Sequence, residues 1–266
     1  MKNLLKRILA PIIGRAHFQK LLNNIHALSL IGMNVGGGGD TKNSGEEFVI
    51  KYINQVYKSQ SDLVVFDVGS NIGDYAILLS EILEPTTNIY CFEPSKATYE
   101  HLTKNTSSIK NIQLFNIGLG VKSEFISLYF DKKESGLASF YKRRLDHFSI
   151  DMSKSELVEV KILDEFCRDH SVEHIHFLKM DVEGNELNIL NGAKRMIEAE
   201  SIDFIQFEFG GCNIDSRTFF QDFFYLLKDR YHIYRILKNG LYPIDSYSEK
   251  YEIFITTNYL AIRKLL

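Results

Sequence analysis

From about residue 60 onward, short apolar runs alternate with stretches of helical character. A run that is apolar almost throughout is typical of a strand covered on both faces, and its alternation with helices predicts a mostly parallel sheet with crossover helices. The predicted strands cover residues 63–67, 88–93, 112–116, 175–180 and 204–209. The predicted helices between them cover residues 75–84, 95–105, 186–200 and 217–229.

Two later apolar runs, residues 231–237 and 251–262, are expected to complete a seven-stranded sheet. The loop between them contains Asn239, Gly240 and Pro243 and is short enough for a hairpin-like return. The last strand is therefore predicted to be antiparallel to its neighbours.

Residues 119–170 depart from the simple alternation of strands and helices. Two strand-like runs, residues 124–130 and 157–163, flank a polar loop with few helix signals. This pattern predicts an inserted hairpin with a long excursion between the third and fourth strands. Long loops inside compact domains are usually lids or binding loops.

The length of 266 residues favours one large α/β domain with an appendage. Residues 1–44 are predicted to form an N-terminal helical appendage that ends in a glycine-rich joint, and residues 45–266 the main domain. The four glycines at 36–39 follow no strand and precede no Lys-Ser or Lys-Thr pair, so a flexible joint is favoured over a phosphate-binding loop.

The first residues combine basic and apolar side chains. Pro11 and Arg15 interrupt the apolar run and no small-residue cleavage site follows, so we expect no secretory signal. No apolar stretch is long enough to span a bilayer. The apolar side chains at helical spacing favour a packing helix or a dimer helix in a homo-oligomer, with a helix on a membrane surface as the alternative. They are Leu4, Leu5, Ile8 and Leu9, beside Lys2, Lys6 and Arg7.

The composition excludes several classes of protein. A net charge of -3, from 31 basic and 34 acidic residues, gives no reason to expect a nucleic-acid partner. Cys91, Cys167 and Cys212 lack CxxC spacing, which argues against a disulfide framework and a thiolate zinc site. Free thiols fit a reducing compartment, so we expect a cytoplasmic protein.

The stretch VVFDVGSNIGDYA predicts a strand that ends near Asp67, then a turn with Gly69, Asn71 and Gly73, then a helix. Glycines after the first strand let the backbone approach a bound nucleoside at the helix N-terminus. The spacing is GxxxG, whereas a dinucleotide site uses GxGxxG. Asp67 and Asp74 bracket this turn with negative charge, which favours the cationic S-adenosylmethionine over NAD.

Glu93, in YCFEPS, ends the second predicted strand. A carboxylate at this position can accept hydrogen bonds from both ribose hydroxyls of an adenosine. The alternative is an acid that stabilises a helix N-terminus next to Pro94. With the glycine turn just before it, we favour the ribose role.

Three further acids, Asp181, Glu183 and Glu208, follow or end the fourth and fifth predicted strands in FLKMDVEGNE and FIQFEFG. Open α/β sheets bind ligands at the carboxyl ends of their strands. The alternative, that Glu183 and Glu186 are only first-turn helix acids, does not account for Glu208 at the same edge.

Taken in order, these motifs resemble the FkbM-type methyltransferases. The resemblance spans roughly residues 45–262, and it implies the class I methyltransferase fold, with a Rossmann-like, mostly parallel seven-stranded sheet and an antiparallel last strand. It also implies S-adenosylmethionine as cofactor and O-methylation of a hydroxyl on a small-molecule or glycan acceptor, such as a sugar or a polyketide-type natural product. The stretches that carry it are FDVGSNIGDY, CFEPS, IGLG, VKILDEF, FLKMDVEGNELNILNGA and IDFIQFEFG.

The resemblance also implies roles for individual residues. The methionine half of the cofactor is expected near the turn after the first strand, the ribose at Glu93, and the transferring methyl beside Asp181. The turn residues are Asp67, Gly69, Asn71 and Gly73; Asn116 and Gly118 are expected near the adenine, and Ser139, in GLASF, close to the cofactor.

Methyl transfer from a sulfonium is an in-line displacement in which the acceptor hydroxyl must lose its proton. Asp181 or Glu208 is the expected general base. A less favoured alternative is that Asp181, Glu183 and Glu208 hold Mg²⁺ or Ca²⁺, which would lower the pKa of the hydroxyl. No spacing rule here demands a metal, so none is expected.

Two other features are given structural interpretations. His174 and His176 precede or begin the fourth strand, away from the expected cleft, and are interpreted as surface or packing residues. The basic run at 142–144 is interpreted as solvated surface, with contact to an anionic acceptor as the alternative. An NAD-linked oxidoreductase or epimerase, and a degenerate methyltransferase-like binding module, remain as rival functions.

Overall fold

The computed structural model describes residues 10–37, 44–58 and 60–266. Its centre is an eight-stranded sheet with the strand order β10-β9-β11-β8-β7-β1-β2-β3. The strands of this sheet are β1 Val64–Val68, β2 Asn88–Phe92, β3 Ile112–Phe115, β7 Ile175–Met180, β8 Ile202–Phe209, β9 Tyr231–Leu237, β10 Gly240–Pro243 and β11 Thr257–Arg263.

Five strands of this sheet are parallel. Strand β1 pairs with β2 on one side and with β7 on the other, and β3 and β8 extend the two sides. From β1 the chain adds β2 and β3 on one side of the sheet, and it later adds β7 and β8 on the other side. This reversal opens a crevice at the carboxyl ends of β1 and β7, where such sheets bind ligands.

The antiparallel half of the sheet confirms one expectation and corrects another. Strand β11 lies between β8 and β9 and is antiparallel to both, as the sequence predicts. The sheet has eight strands rather than seven, because the segment from Gly240 to Pro243 itself pairs with β9 in a tight hairpin. The last strand begins at Thr257 rather than 251, since Glu249–Tyr251 forms a single 3-10 turn.

The helices are α1 Gln19–Gly32, α2 Glu46–Val56, α3 Asp74–Ile82, α4 Lys96–Thr106, α5 Leu163–Asp169, α6 Glu186–Gly192, α7 Lys194–Glu198, α8 Cys212–Ser216 and α9 Phe220–Leu227. The predicted helix 186–200 is thus two short helices, and α5 was not predicted. The interruption follows Gly192, where a Cβ would lie 2.1 Å from the carbonyl oxygen of Gly120.

The insertion is larger than the predicted hairpin. Strands β5 (Glu124–Phe130) and β6 (Lys154–Ile162) do form an antiparallel pair. A third short strand, β4 (Gly118–Gly120), pairs with β6 in parallel and makes a separate three-stranded sheet. Residues 131–153, which connect β5 to β6, are called the lid segment below.

Successive residues of the central strands point to opposite faces of the sheet, and each face has its own apolar core. Phe66 and Leu178 belong to one core, and Val65 and Phe177 to the other. Helix α2 closes the second core with Val49, Ile50 and Ile53, which are fully buried. The sheet is therefore rigid on both sides of the crevice.

Part of the N-terminal prediction lies outside the described residues. This applies to the helix expected around Leu4 to Leu9 and to most of the glycine joint. The described residues include α1, and none of their helices is long and apolar enough to cross a membrane.

His174 and His176 lie at the amino end of β7, away from the crevice. The backbone amide of Val64 donates to His176 Nδ1 at 2.9 Å, and His174 Nε2 lies 2.7 Å from an Asp203 carboxylate oxygen. Tyr57 and Arg263 donate to the same carboxylate. Each histidine thus has hydrogen-bond partners within the fold, in agreement with the packing interpretation.

Replacing Asp203 is expected to destabilise the protein. Burial alone would raise the pKa of Asp203, but the hydrogen bonds from His174, Tyr57 and Arg263 lower it. Asp203→Asn should therefore reduce the free energy of unfolding by about 1–3 kcal/mol near neutral pH. A lowered folded-state pKa stabilises only above the unfolded value, so the difference should shrink as pH falls below about 4.

Urea denaturation near neutral pH and below about pH 4 measures this difference in the free energy of unfolding. Asp229→Asn is the matched control, because Asp229 pairs with Lys228 on the exposed surface. An equal effect of the two substitutions would contradict the assigned role of Asp203.

Candidate active site

The crevice contains two adjoining compartments. The first, of about 640 Å³, is lined by residues that include Phe92, Glu93, Gly118, Leu119 and Phe140. The second, of about 1260 Å³, is lined by residues that include Glu46, Asp74, Tyr75, Lys179 and Glu208. Both compartments share a junction lined by Gly69, Asn71, Gly136, Asp181 and Glu183.

The glycine turn after β1 is compressed between neighbouring strands. Gly69 has a φ of 81°, and a Cβ there would lie 1.9 Å from the carbonyl oxygen of Asp181. Only glycine can occupy this position without moving the end of β7. Gly73, with a φ of 100°, precedes α3 in the same conformational region. The turn therefore brings backbone, rather than side chains, to the junction of the two compartments.

Glu93 connects the glycine turn to the next helix. Its carboxylate accepts hydrogen bonds from the backbone amides of Asn71, at 3.0 Å, and Ser95, at 2.9 Å. Burial raises the pKa of Glu93 to about 7, against the effect of these two amides. Glu93 therefore supports the start of α4, as the alternative interpretation expects, and it also lines the first compartment.

Asn116 and Gly118 shape the wall near Glu93 in different ways. The side-chain amide of Asn116 donates to the carbonyl oxygens of Glu93 and Pro94, which fixes their backbone. Gly118 lines the first compartment, and a Cβ there would lie 2.8 Å from the Phe140 ring. Of these two residues, Gly118 lines the cavity, whereas Asn116 fixes the backbone of the cavity wall at Glu93 and Pro94.

Lys179 is the main residue that sequence reasoning missed. Its buried ammonium lies 3.3 Å from an Asp67 oxygen, 3.6 Å from an Asp181 oxygen and 4.8 Å from the centre of the Tyr75 ring. Burial opposes the charge, but Asp67, Asp181 and Glu46 hold the pKa of Lys179 above its ordinary value. The Asp67 carboxylate is itself fully buried under the turn, and apart from the Lys179 ammonium it has no polar partner among the described residues.

A signal for Lys179 is present in the sequence. Asp67 faces Lys179 across β1 and β7, and Lys179 faces Gln206 across β7 and β8. Polar residues at matching positions of three otherwise apolar strands therefore form one row across the sheet. The row could be found only after the strands had been aligned in register.

Glu208 and Glu46 face the second compartment from the same side of the sheet. Glu46, at the start of α2, accepts a hydrogen bond from Gln206. Burial and the charges of Asp181 and Glu183 raise the pKa of Glu208 well above its ordinary value. Burial also raises the pKa of Glu46. Glu186 is different, because its carboxylate accepts from the Val182 and Gly184 amides and supports the turn before α6.

The lid segment covers the junction through Ser139 and its neighbours. The buried Ser139 hydroxyl donates to the carbonyl oxygen of Glu183 at 2.7 Å and accepts from the Tyr141 amide. This bond holds Ala138 and Phe140 on the first compartment. Ser139 therefore acts on the compartment by fixing the lid segment.

The interpretation of the basic run as solvated surface is wrong for Arg143. Its side chain is 8% exposed and donates to the Glu183 carboxylate, and it lies 4.0 Å from Asp215. Lys142 and Arg144 are exposed, as expected. The pairing joins residues 40 positions apart, so the local sequence carried no signal for it.

The acids of the crevice fit a divalent metal poorly. Arg143 already pairs with Glu183, and Lys179 with Asp181. Glu183, Glu208 and Cys212 do approach one another, but burial and the nearby carboxylates raise the pKa of the Cys212 thiol. A protonated thiol is a poor ligand, and hard cations such as Mg²⁺ prefer oxygen. Glu183 and Asp181 thus each already have a side-chain cation as partner.

The parallel strands, the antiparallel β11 and the crevice beside Gly69 define a class I methyltransferase fold. The model of the methyltransferase FkbM domain matches residues 67–236, and the chain belongs to this family. The family resemblance found in the sequence is thereby confirmed.

Two curated relatives are similar to the chain. Hexuronic acid methyltransferase AglP of Haloferax volcanii is 26% identical over 161 residues, which cover 60% of this chain and 61% of that protein. 2-O-methyltransferase NoeI of Sinorhizobium fredii is 26% identical over 145 residues, covering 51% of this chain and 59% of that protein. The matched part thus spans about six tenths of each relative's length.

Solved structures of methyltransferases also match the chain, with TM-scores below 0.5. One is the magnesium protoporphyrin IX methyltransferase ChlM of Synechocystis PCC 6803, with bound S-adenosylmethionine. Its TM-score is 0.41 at 10% identity, and the match covers 83% of this chain and 80% of that one.

Arg143→Ala is expected to destabilise the closed lid segment. The change leaves the buried Glu183 carboxylate without its cation, and removing one partner of a buried ion pair costs about 3–5 kcal/mol. Urea denaturation measures the loss, and limited proteolysis should detect earlier cleavage within residues 131–153. Arg144→Ala is the matched control and should change neither, because its side chain is exposed. Equal stability of the two variants would refute the role of Arg143.

Proposed function

We propose that the protein is an S-adenosylmethionine-dependent O-methyltransferase that acts on a hydroxyl of a sugar or natural-product acceptor. The main support is the pair of compartments that meet at Gly69 and Asp181, one apolar and joined to Glu93, the other lined with acids. The two relatives, a hexuronic acid methyltransferase and a 2-O-methyltransferase, support methyl transfer as the reaction.

The first compartment fits the nucleoside part of the cofactor. Phe92, Leu119 and Phe140 offer apolar surface for the adenine, and Glu93 keeps free lone pairs for the ribose hydroxyls. Gly69 and Asn71 would hold the methionine part, and the Asn71 side-chain oxygen is buried without a hydrogen bond from the described residues. The cofactor supplies a methyl group already activated on a sulfonium.

Charge supports the same cofactor. Around the junction lie the carboxyl groups of Asp67, Asp181, Glu183 and Glu208, beside the two cations Lys179 and Arg143. S-adenosylmethionine carries a sulfonium and an ammonium against one carboxylate, and its net positive charge would favour the ionised forms of these acids. The two phosphates of NAD would add negative charge to the site.

Glu93→Gln should weaken cofactor binding. The substitution removes the charge that strengthens hydrogen bonds to the ribose, so we expect the Kd for S-adenosylhomocysteine to rise by at least about tenfold. Isothermal titration measures it, with NAD as a second titrant. Glu100→Gln on the exposed face of α4 is the control and should bind as the unmodified protein does.

The outcomes of this titration separate the rival functions. Binding of NAD alone would support an oxidoreductase or epimerase. Binding of neither compound would support a degenerate, non-enzymatic module.

Asp181 or Glu208 is proposed to take the proton of the acceptor hydroxyl. Asp181 lies at the junction, where the methyl group and the hydroxyl would meet, and its side chain is 44% exposed. Lys179 fixes the position of Asp181 through their ion pair. Glu208 lines only the second compartment, and its raised pKa makes its ionised form a stronger base.

Asp181→Asn and Glu208→Gln should each lower turnover at saturating cofactor, and loss of the general base should cost about 10² to 10⁴-fold. If Glu208 accepts the proton, kcat should increase with pH as its raised-pKa carboxyl ionises, and Glu208→Gln should flatten this profile. Turnover should be unchanged by a metal chelator. Turnover close to that of the unmodified protein in both variants would refute the assignment.

The residues that line the second compartment also indicate the charge of the acceptor. Arg143 is committed to Glu183 and Asp215, so it is not available for an anionic group. Glu46, Asp74 and Glu208 line the same space. We propose an uncharged sugar or polyol hydroxyl as acceptor, in a reducing cytoplasmic setting where the buried thiols stay free.

A further inference from the structure

Helix α1 presents apolar side chains to solvent along most of its length. Among its large apolar residues, only Leu30 is buried. Ile31 is 71% exposed and Leu28 is 68% exposed. The exposed apolar residues of the helix are Leu21, Leu22, Ile25, Leu28 and Ile31.

These residues share one side of the helix. Leu21, Ile25 and Leu28 follow at intervals of four and three residues, which places them above one another on one face. Leu30 lies two residues from Leu28, and so on nearly the opposite side. The helix therefore rests on the domain through one face and turns its wider apolar face outward.

The end of α1 is fixed to the domain. The Asn34 side chain donates to the carbonyl oxygens of Ser44 and Ile236. Val35 is buried, and the Gly36 amide donates to the carbonyl oxygen of Thr256 at 2.9 Å. Because Gly36 and Thr256 both line the second compartment, the helix leaves the domain directly at the mouth of the crevice.

The charged residues before and within α1 in the sequence have a single sign. The chain has 34 acidic residues, and the first of them is Asp40. Arg15 and Lys20 flank or begin the described helix, and Lys2, Lys6 and Arg7 precede it in the sequence. An apolar face accompanied only by basic residues is typical of segments that bind the surface of anionic membranes.

We propose that α1 docks this protein on an anionic membrane surface, with its outward apolar face lying in the headgroup region. A helix of 14 residues is too short to span a bilayer, so it would lie in the plane of the interface. Pairing with a second copy through the same face would bring the basic residues of both copies together without acidic partners. Anionic lipids supply the missing opposite charge.

The test uses the full chain and unilamellar vesicles of phosphatidylcholine with about 30 mol% phosphatidylglycerol. In co-sedimentation, the protein should bind these vesicles, and binding should fall at least about tenfold on pure phosphatidylcholine or in about 1 M salt. Ile25→Glu with Leu28→Glu should abolish binding. Arg15→Gln with Lys20→Gln should weaken it on anionic vesicles only.

The matched control is Phe125→Glu with Leu157→Glu. These apolar side chains on β5 and β6 are 66% and 69% exposed, as prominent as those of α1. This variant should bind vesicles as the unmodified protein does, and urea denaturation should show that all variants are folded. Equal loss of binding in the control would overturn the proposal.

Two other results would also overturn the proposal. One is that the full chain stays in the supernatant with anionic vesicles. The other is a dimer in sedimentation velocity that Ile25→Glu with Leu28→Glu dissociates, because the face would then be covered by a second copy.

Discussion

The buried ammonium of Lys179 is the interaction on which the crevice depends. It lies between Asp67 under the glycine turn and Asp181 at the end of β7, and it covers the ring of Tyr75. Without this cation, a fully buried Asp67 carboxylate would have neither an ion pair nor a hydrogen bond among the described residues. A carboxylate left uncompensated in an apolar interior costs several kcal/mol, so the turn, the sheet and the rim of the cavity are stabilised together.

The excess of acid around this lysine links stability to binding. Glu46 and Glu208 are buried in the same region. Their pKa values are raised because burial and the nearby carboxylates make their ionised forms unfavourable. A cationic ligand at the junction would favour the ionised carboxylates. Binding of a positively charged ligand there would therefore be coupled to ionisation of these carboxyl groups.

The sheet and the motif positions could be predicted from the sequence because they depend on local patterns. The apolar runs predicted the five parallel strands. The ends of these strands predicted that Asp181, Glu208 and Glu93 lie at the carboxyl edge of the sheet. Arg143 could not be assigned in this way, since its partner Glu183 follows 40 residues later and the lid segment that contains Arg143 has no periodicity. The outward face of α1 was equally hidden, because apolar residues at helical spacing look the same whether they pack inward or not.

Glu183 joins the lid segment to the floor of the crevice in more than one way. It is a non-glycine residue with a φ of 51°, its carboxylate pairs with Arg143, and its carbonyl oxygen accepts the hydroxyl of Ser139. The lid segment and the floor of the junction are thus joined at one strained residue. Because Gly136 and Phe140 of the lid segment line the first compartment, the shape of that compartment depends on the contacts made at Glu183.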